Sequence, residues 1–159
     1  MPLQIVSSST IQLVGKRLSV SLAAGRVQEL WQSFMPIRSQ IQHTVGQNLY
    51  SVEQYPALDF FETVDFDRTF TRWAAVEVTA SHQLPDGLET LVIPEGRYAV
   101  FTYRGLESQA RGAFQYIYGN WLPQSSYQLA HRPHFAKMDE RYKGEDPTSE
   151  EEFWIPILS

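Results

Sequence analysis

The sequence predicts the same order of elements twice, and this repeat constrains the fold more than any single motif. In the first half, the predicted elements are a strand at 4–21, a helix at 22–45 and strands at 48–55 and 69–81. In the second half, they are strand-forming sequence at 88–104, a helix at 106–121 and strands at 135–142 and 152–158. Identity between the halves is slight, so the repeat depends on the order of elements.

Two such units predict an α+β architecture, with their strands in one antiparallel sheet and both helices on one side. The length of 159 residues suits one domain with its own core. We therefore expect a single domain over 1–159, made of two pseudo-symmetric βαββ units at about 1–84 and 85–159. A ligand cleft is expected between the halves or on the other side of the sheet.

The first helix is predicted from apolar residues that recur every three or four positions. These residues are Val27, Leu30, Trp31, Phe34, Ile37 and Ile41. Pro36 lies inside this pattern and should kink the helix or start a second helical piece. Gly46 and Asn48 are expected to end the first helix, and Pro123 the second. Gly15 is expected to kink the first strand.

Aromatic residues are the unusual part of the composition. The chain contains four Trp, eight Tyr and nine Phe, which is more than one small core usually needs. One interpretation is a core rich in aromatic rings. The other is that some of the rings line a ligand cavity.

Charge and residue types argue against several classes of function. The net charge of −5 and the lack of a Lys/Arg cluster argue against binding to nucleic acid. The absence of cysteine excludes disulfides and thiol catalysis. No signal peptide or bilayer-spanning apolar run is seen, so a cytoplasmic protein without a membrane partner is expected. The late acidic residues are expected to form a solvated loop: Asp139, Glu140, Glu145, Asp146 and residues 150–152.

Residues for catalysis or for holding a cofactor are sparse. His131 and His134 are three positions apart, but two histidines do not make a metal site. No serine lies in a Gly-x-Ser-x-Gly context, and no glycine-rich phosphate loop is present. The sequence therefore predicts no metal site and no cofactor.

The segment from Trp73 to Glu77 offers a carboxylate near an indole ring. On a strand, Trp73, Ala75 and Glu77 share one face. Such a face can bind a cationic ring through charge, stacking and cation–π attraction. The alternative is a solvent-facing glutamate on an edge strand, and the sequence leaves both interpretations open.

Six short motifs together resemble a known family. They span residues 96–101, 118–123, 132–135 and 151–157 in the second half, and 30–35 and 73–78 in the first. In order and spacing they are similar to the GyrI-like small-molecule-binding family. Domains of this family also form the effector-binding half of AraC-type and MerR-type multidrug regulators. The resemblance covers nearly the whole chain.

The resemblance implies a pair of βαββ units with a cleft between them. It also implies that lipophilic, often cationic, aromatic compounds bind through stacked rings and a buried carboxylate. Such a carboxylate is costly without a partner, and a cation relieves the cost. Because stacking accepts many ring shapes, broad specificity is expected.

The sequence departs from the family pattern after Pro133. The family's buried glutamate falls on Ala136, and its tyrosine falls on Met138. Glu140 shares their face but lies about 13 Å along the strand, so Glu77 is the better remaining anion. Ala136 would also enlarge the pocket and make it more neutral. Some relatives are hydrolases that need this glutamate, so binding is favoured over catalysis.

We therefore expect a stand-alone protein that binds lipophilic, cationic or neutral aromatic compounds, as a sensor or a sequestering protein. The candidate ligand-binding residues are Trp73, Glu77, Tyr98, Phe101, Trp121, Ala136, Met138 and Trp154. Tyr98 and Phe101 are expected on opposite faces of their strand, and Trp121 and Trp154 could equally belong to the core.

Two alternatives to small-molecule binding remain open. One is a hydrolase of small reactive metabolites, with Glu77, Glu140 or Tyr142 in the role of the missing glutamate. The other is a protein-interaction role, such as inhibition of DNA gyrase or service to a separate regulator. We expect no DNA-binding helical pair before Met1, so a complete transcription factor is not expected. An edge strand at Leu3–Ser8 could pair in a homodimer.

Overall fold

The structure is a computed structural model that describes residues 1–21, 23, 25–61, 67–80 and 83–159. Its strands are β1 (Leu3–Ser8), β2 (Ile11–Ser21), β3 (Leu49–Gln54), β4 (Thr69–Glu77), β5 (Glu89–Ile93), β6 (Gly96–Arg104), β7 (His134–Met138) and β8 (Glu150–Ile157). Its main helices are α1 (Val27–Arg38) and α2 (Ala110–Tyr116). A π-helical turn (Ile117–Trp121) and a last helical turn (Leu122–Gln124) extend α2, and 3₁₀ turns lie at Leu58–Phe61 and Glu107–Gln109.

All eight strands form one antiparallel sheet in the order β1-β6-β8-β7-β3-β4-β2-β5. The order has a two-fold relation, with β3 and β7 at the centre. The first strand of each half pairs with the second strand of the other half, β1 with β6 and β5 with β2. The expected α+β fold is confirmed.

The segment 4–21, predicted as one strand, contains two strands, and the strand-forming segment 88–104 also contains two. The breaks fall at Ser9–Thr10 and at Pro94–Glu95. The strands on either side of each break lie far apart in the sheet. Gly15 lies inside β2, and a Cβ there would collide with the backbone of Ala74 and Ala75. Gly15 therefore allows β2 and β4 to lie close together.

The helices begin and end at other residues than the apolar pattern suggested. In the described part of 22–45, α1 covers only Val27–Arg38, and it contains Pro36 near its end. Ile41 is buried although it lies after the end of α1. Its apolar side chain therefore made the predicted helix too long. The second helical segment continues past Pro123 to Gln124, because this proline lies in the first turn of a new helical piece, where its missing N–H costs little.

Both main helices lie on the same face of the sheet, which we call the helix face. Leu30 and Phe34 of α1 pack against β2 and β4. Ala110 and Ile117 pack in the cluster that contains Phe101 and Phe153 of β6 and β8. Each helix therefore covers one half of the sheet, and the central strands lie between them.

The opposite face of the sheet is covered by neither α1 nor α2, yet its side chains are buried. Tyr98 is 0% exposed, Tyr50 2% and Trp73 4%. Ile93 from one end of the sheet and Val6 from the other belong to the same apolar cluster. The sheet must therefore curve around this face, so that the face is filled by its own side chains. Among the described residues, no helix is long and apolar enough to cross a membrane.

Candidate ligand-binding groove

Small residues occupy the centre of the helix face. Ser51 of β3 pairs with Ala74 of β4 on one side and with Ala136 of β7 on the other. Ala136 pairs in turn with Phe153 of β8, which lies under α2. Ala136 is partly exposed although its strand is central, whereas Phe153 is 2% exposed. Ala136 is therefore partly accessible between the helices, beside the buried Ser51, and we call this region, with Ser51 and Ala136 as its floor, the central groove.

One side of α1 is turned toward the start of β3. Trp31, Met35 and Arg38 are spaced so that they share this side of the helix. Met35 and Arg38 line a cavity of about 470 Å³ with Val76 and Gln47 beside the end of α1, and neither Ser51 nor Ala136 is part of its lining. The Arg38 guanidinium donates to the backbone oxygen of Gln47, two residues before β3, at 2.7 Å. This bond ties the end of α1 to the chain that enters β3, so Trp31 and Met35 lie on the side of α1 nearer the groove floor.

A wall of the groove comes from α2 and its π-helical turn. The ring of Phe114 stacks on Phe153 with centroids 4.3 Å apart. The Tyr118 hydroxyl is 2.6 Å from Nδ1 of His134, which lies on β7 two residues before Ala136. Both rings therefore lie over the strands beside the groove floor.

A polar cluster closes the end of the groove near Glu53. Glu53 is paired with Arg72 at 3.2 Å, and their side chains are 17% and 20% exposed. The Tyr55 hydroxyl donates a second hydrogen bond to the Glu53 carboxylate. Across the β3–β7 pair, Glu53 lies opposite His134. This carboxylate already has a cationic partner.

Burial fixes the protonation of the groups around Glu53. It lowers the pKa of His134 to about 3, with a smaller contribution from nearby His131. It raises the pKa of Tyr118 well above its ordinary value, and the charge of Glu53 adds to this effect. At neutral pH the imidazole is uncharged and the phenol keeps its proton, so neither group adds charge to the groove.

A second carboxylate on the helix face belongs to Glu151. The acidic run at 150–152 was expected to be a solvated loop, but Glu150 to Glu152 lie in β8, and Glu151 is only 8% exposed. Its strand partner on β6 is Tyr103. Burial, with a smaller contribution from the charge of Glu107, raises the pKa of Glu151 to about 7. Three consecutive acidic residues look like a solvated loop in the sequence, so the strand alternation that turns the Glu151 side chain inward was not recognised.

The sequence model of a family described as "GyrI-like small molecule binding domain" matches residues 1–158. The chain belongs to the GyrI-like family. It is 27% identical over 157 residues to the transcriptional regulator BrlR of Pseudomonas aeruginosa, covering 97% of this chain and 54% of BrlR. The chain thus spans about half the length of this relative.

Solved structures share the fold of this GyrI-like domain at low identity. SAV2435 bound to tetraphenylphosphonium has a TM-score of 0.72 at 15% identity, and the match covers 100% of this chain and 95% of that one. EcmrR, in a complex with DNA, has a TM-score of 0.71 at 12% identity, with coverage of 99% and 57%. A hydrolase from Listeria innocua encoded by lin2189 has a TM-score of 0.59 at 10% identity, with coverage of 98% and 91%. At these identities the likeness shows the fold alone.

The eight candidate residues of this GyrI-like domain divide between the two faces of the sheet. Trp73, Glu77, Tyr98 and Trp154 lie on the opposite face, and Phe101, Trp121, Ala136 and Met138 lie on the helix-face side. The expectations that Trp73 and Glu77 share a face, and that Tyr98 and Phe101 do not, agree with the register. No single cleft of the described structure brings all eight together.

The opposite-face candidates already have protein partners. The Tyr50 hydroxyl donates to Glu77 at 3.1 Å, and the Trp73 indole donates to Gln54 at 2.6 Å. The Tyr98 hydroxyl donates to the backbone oxygen of Pro133 at 3.1 Å. The Trp154 indole stacks on Phe135 at 5.1 Å. These contacts describe a packed core more than a vacant site.

Among the helix-face candidates, Ala136 lies on the groove floor. The ring of Trp121 packs edge-on against Phe101 at 4.9 Å and stacks on Tyr127 at 5.9 Å, which places it over β6 and away from the groove. Met138 is 8% exposed. The groove residues that the sequence analysis missed are Trp31, Ser51, Glu53, Phe114, Tyr118 and Glu151. Ser51 and Glu53 could have been found from the sequence, because residues two positions apart on a strand such as β3 lie on the same face.

Proposed function

We propose that this GyrI-like domain binds lipophilic cations with aromatic rings in the central groove. The observation that carries the proposal is the partly exposed Ala136 on a central strand, between aromatic side chains of two helices. A small-residue floor leaves room for a flat ring, and the walls offer rings for stacking.

The preference for cations draws on charge as well as on rings. Trp31, Phe114 and Tyr118 offer π faces that attract a cation. The net charge of −5 favours approach of positively charged molecules. A structure of the fold relative SAV2435 contains tetraphenylphosphonium, a cation with four aromatic rings. This supports the same ligand class here.

The biological role we propose is that of a sensor. BrlR is a transcriptional regulator, and this chain matches about half of it. Ligand binding between α1 and α2 would change how the two halves of the domain are held together. Any DNA contact would come from a different domain, because this one has no basic cluster.

Calorimetric titration with tetraphenylphosphonium tests the proposal. Tetraphenylborate is a matched probe because it has the same shape and the opposite charge. We expect micromolar binding of the phosphonium and at least tenfold weaker binding of the borate (about 1.4 kcal/mol). Equal affinity for both probes would contradict the cation preference, and no binding of either would contradict the ligand class.

The position of the site is tested with Ala136→Leu, which fills the groove floor. We expect phosphonium affinity to fall by about tenfold or more, because the larger side chain occupies the space for the ligand. Ala23→Leu adds the same volume at an exposed position and is the matched control. Unchanged affinity in the folded Ala136→Leu variant would place the site elsewhere.

A further inference from the structure

Glu151 is a buried acid without a counter-charge. Within the described residues, its carboxylate takes part in no hydrogen bond and no ion pair. More than nine-tenths of the residue is buried, but its carboxylate oxygens are not among the described polar atoms that are fully buried without a partner, so they keep some contact with solvent. Buried carboxylates are normally paired, since removing a lone charge from water costs several kcal/mol. Glu151 therefore combines a mostly buried side chain with a carboxylate that lacks a counter-charge and can still be reached by a ligand.

The register of the sheet places Glu151 beside the central groove. Ala136 pairs directly with Phe153, and Glu151 lies two residues from Phe153 on the same strand. Glu151 and Ala136 therefore share the helix face and are diagonal neighbours. Diagonal neighbours lie roughly 7–8 Å apart, within reach of a long side chain.

We propose that Glu151 supplies the carboxylate that binds a cation in the central groove, in place of a carboxylate at position 136. The inference rests on the function proposed above and names its charged group. Because Ala136 carries only a methyl group, a ligand on the groove floor can come close to the neighbouring Glu151 carboxylate. A bound cation would give this buried carboxylate the counter-charge that the described structure lacks.

The surroundings of Glu151 make its charge depend on the ligand. On β6 it meets Tyr103, and the groups from the neighbouring loops are Glu107, Tyr142 and Glu145. These groups are acids or phenols, so none of them provides a positive charge. The pKa of about 7 means that Glu151 is largely protonated at pH 6 and largely ionised at pH 8. Cation binding should therefore release a proton from Glu151, and affinity should rise with pH.

The test measures phosphonium affinity at pH 6 and pH 8 for the wild-type protein and for Glu151→Gln. For the wild type we expect affinity to rise by up to about tenfold, as the ionised fraction of Glu151 rises. Glu151→Gln should bind at both pH values no more tightly than the wild type at pH 6. Glu77→Gln is the matched control, since Glu77 lies on the opposite face, and it should retain the wild-type pH dependence.

A carboxylate restored at the neighbouring position separates a binding role from a structural one. We expect Ala136→Glu, introduced into the Glu151→Gln variant, to recover phosphonium affinity at pH 8. If Glu151→Gln folds and binds with wild-type affinity and pH dependence, while Ala136→Leu still weakens binding by tenfold or more, Glu151 is not the anchor and the groove remains the site. If the wild type does not bind the phosphonium, the proposed function itself fails.

Discussion

The two faces of the sheet are both rich in aromatic rings, but they use the rings differently. On the opposite face Tyr50, Trp73 and Tyr98 are each less than 5% exposed, and they form a closed cluster. On the helix face the rings stand on two helices, on either side of a floor of small residues. The difference teaches that the number of rings does not locate a binding site. A site needs rings together with an unfilled floor.

We expect the largest difference between the two faces in the free energy of unfolding, when a ring is removed from the opposite face. Phe135 is 3% exposed and lies against the rings of Tyr50, Tyr98 and Trp154. Its removal would leave a cavity among these rings. Phe135→Ala should lower the free energy of unfolding by about 3–5 kcal/mol. Met35→Ala, at a groove residue that is 42% exposed, should cost less than about 1 kcal/mol. Urea denaturation of both variants measures the contrast, and similar losses would contradict it.

The next effect concerns the pH dependence of stability on the helix face. The folded pKa of Glu151 is raised from 4.5 to about 7, so the folded state holds its proton more tightly than the unfolded state. Stability is therefore lost as pH rises from about 4.5 to 7. Above pH 7 the penalty approaches roughly 3 kcal/mol, at 1.36 kcal/mol for each pKa unit.

Glu151→Gln should remove this pH-dependent loss. We expect the variant to gain stability relative to the wild type at pH 8, and to gain little at pH 4.5. Glu150→Gln changes the neighbouring, partly exposed carboxyl on the same strand and should leave the pH profile unchanged. Thermal unfolding across this pH range measures both variants, and parallel profiles for wild type and Glu151→Gln would show that the buried acid is not destabilising.

The smallest expected effect compares two alanines on the two faces. Ala75 on the opposite face is 0% exposed, so Ala75→Leu should overpack the core and cost about 1–3 kcal/mol. Ala136→Leu should change stability by less than about 1 kcal/mol, because the added atoms enter the open groove. Equal destabilisation of the two variants would mean that the groove is filled in solution, and would count against the proposed site.

The element order and the face alternation could be predicted from the sequence because they depend on local periodicity. Alternation placed Trp73 and Glu77 together and separated Tyr98 from Phe101, as the register shows. Strand breaks and helix ends were predicted less well. Ile41 extended the helical pattern because a buried residue outside a helix looks the same in sequence as one inside it.

The candidate site was predicted only in part. Ala136 was identified through the family resemblance, but the sequence could not show that its strand is central or that the helices leave it uncovered. The walls at Trp31 and Tyr118 were missed, because their orientation depends on how each helix sits on the sheet. Glu151 was assigned to solvent, since a run of like charges normally faces water.

The sequence by itself determined the family, the α+β class and the order of the elements, since periodicity and short motifs are local properties of the chain. The tertiary structure decided which strands are neighbours and which face each helix covers. Strand pairing joins residues far apart in sequence, as Ser51 joins Ala136 across β3 and β7. Whether a ring is core or wall, and whether an acid is solvated or buried, depends on these long-range contacts.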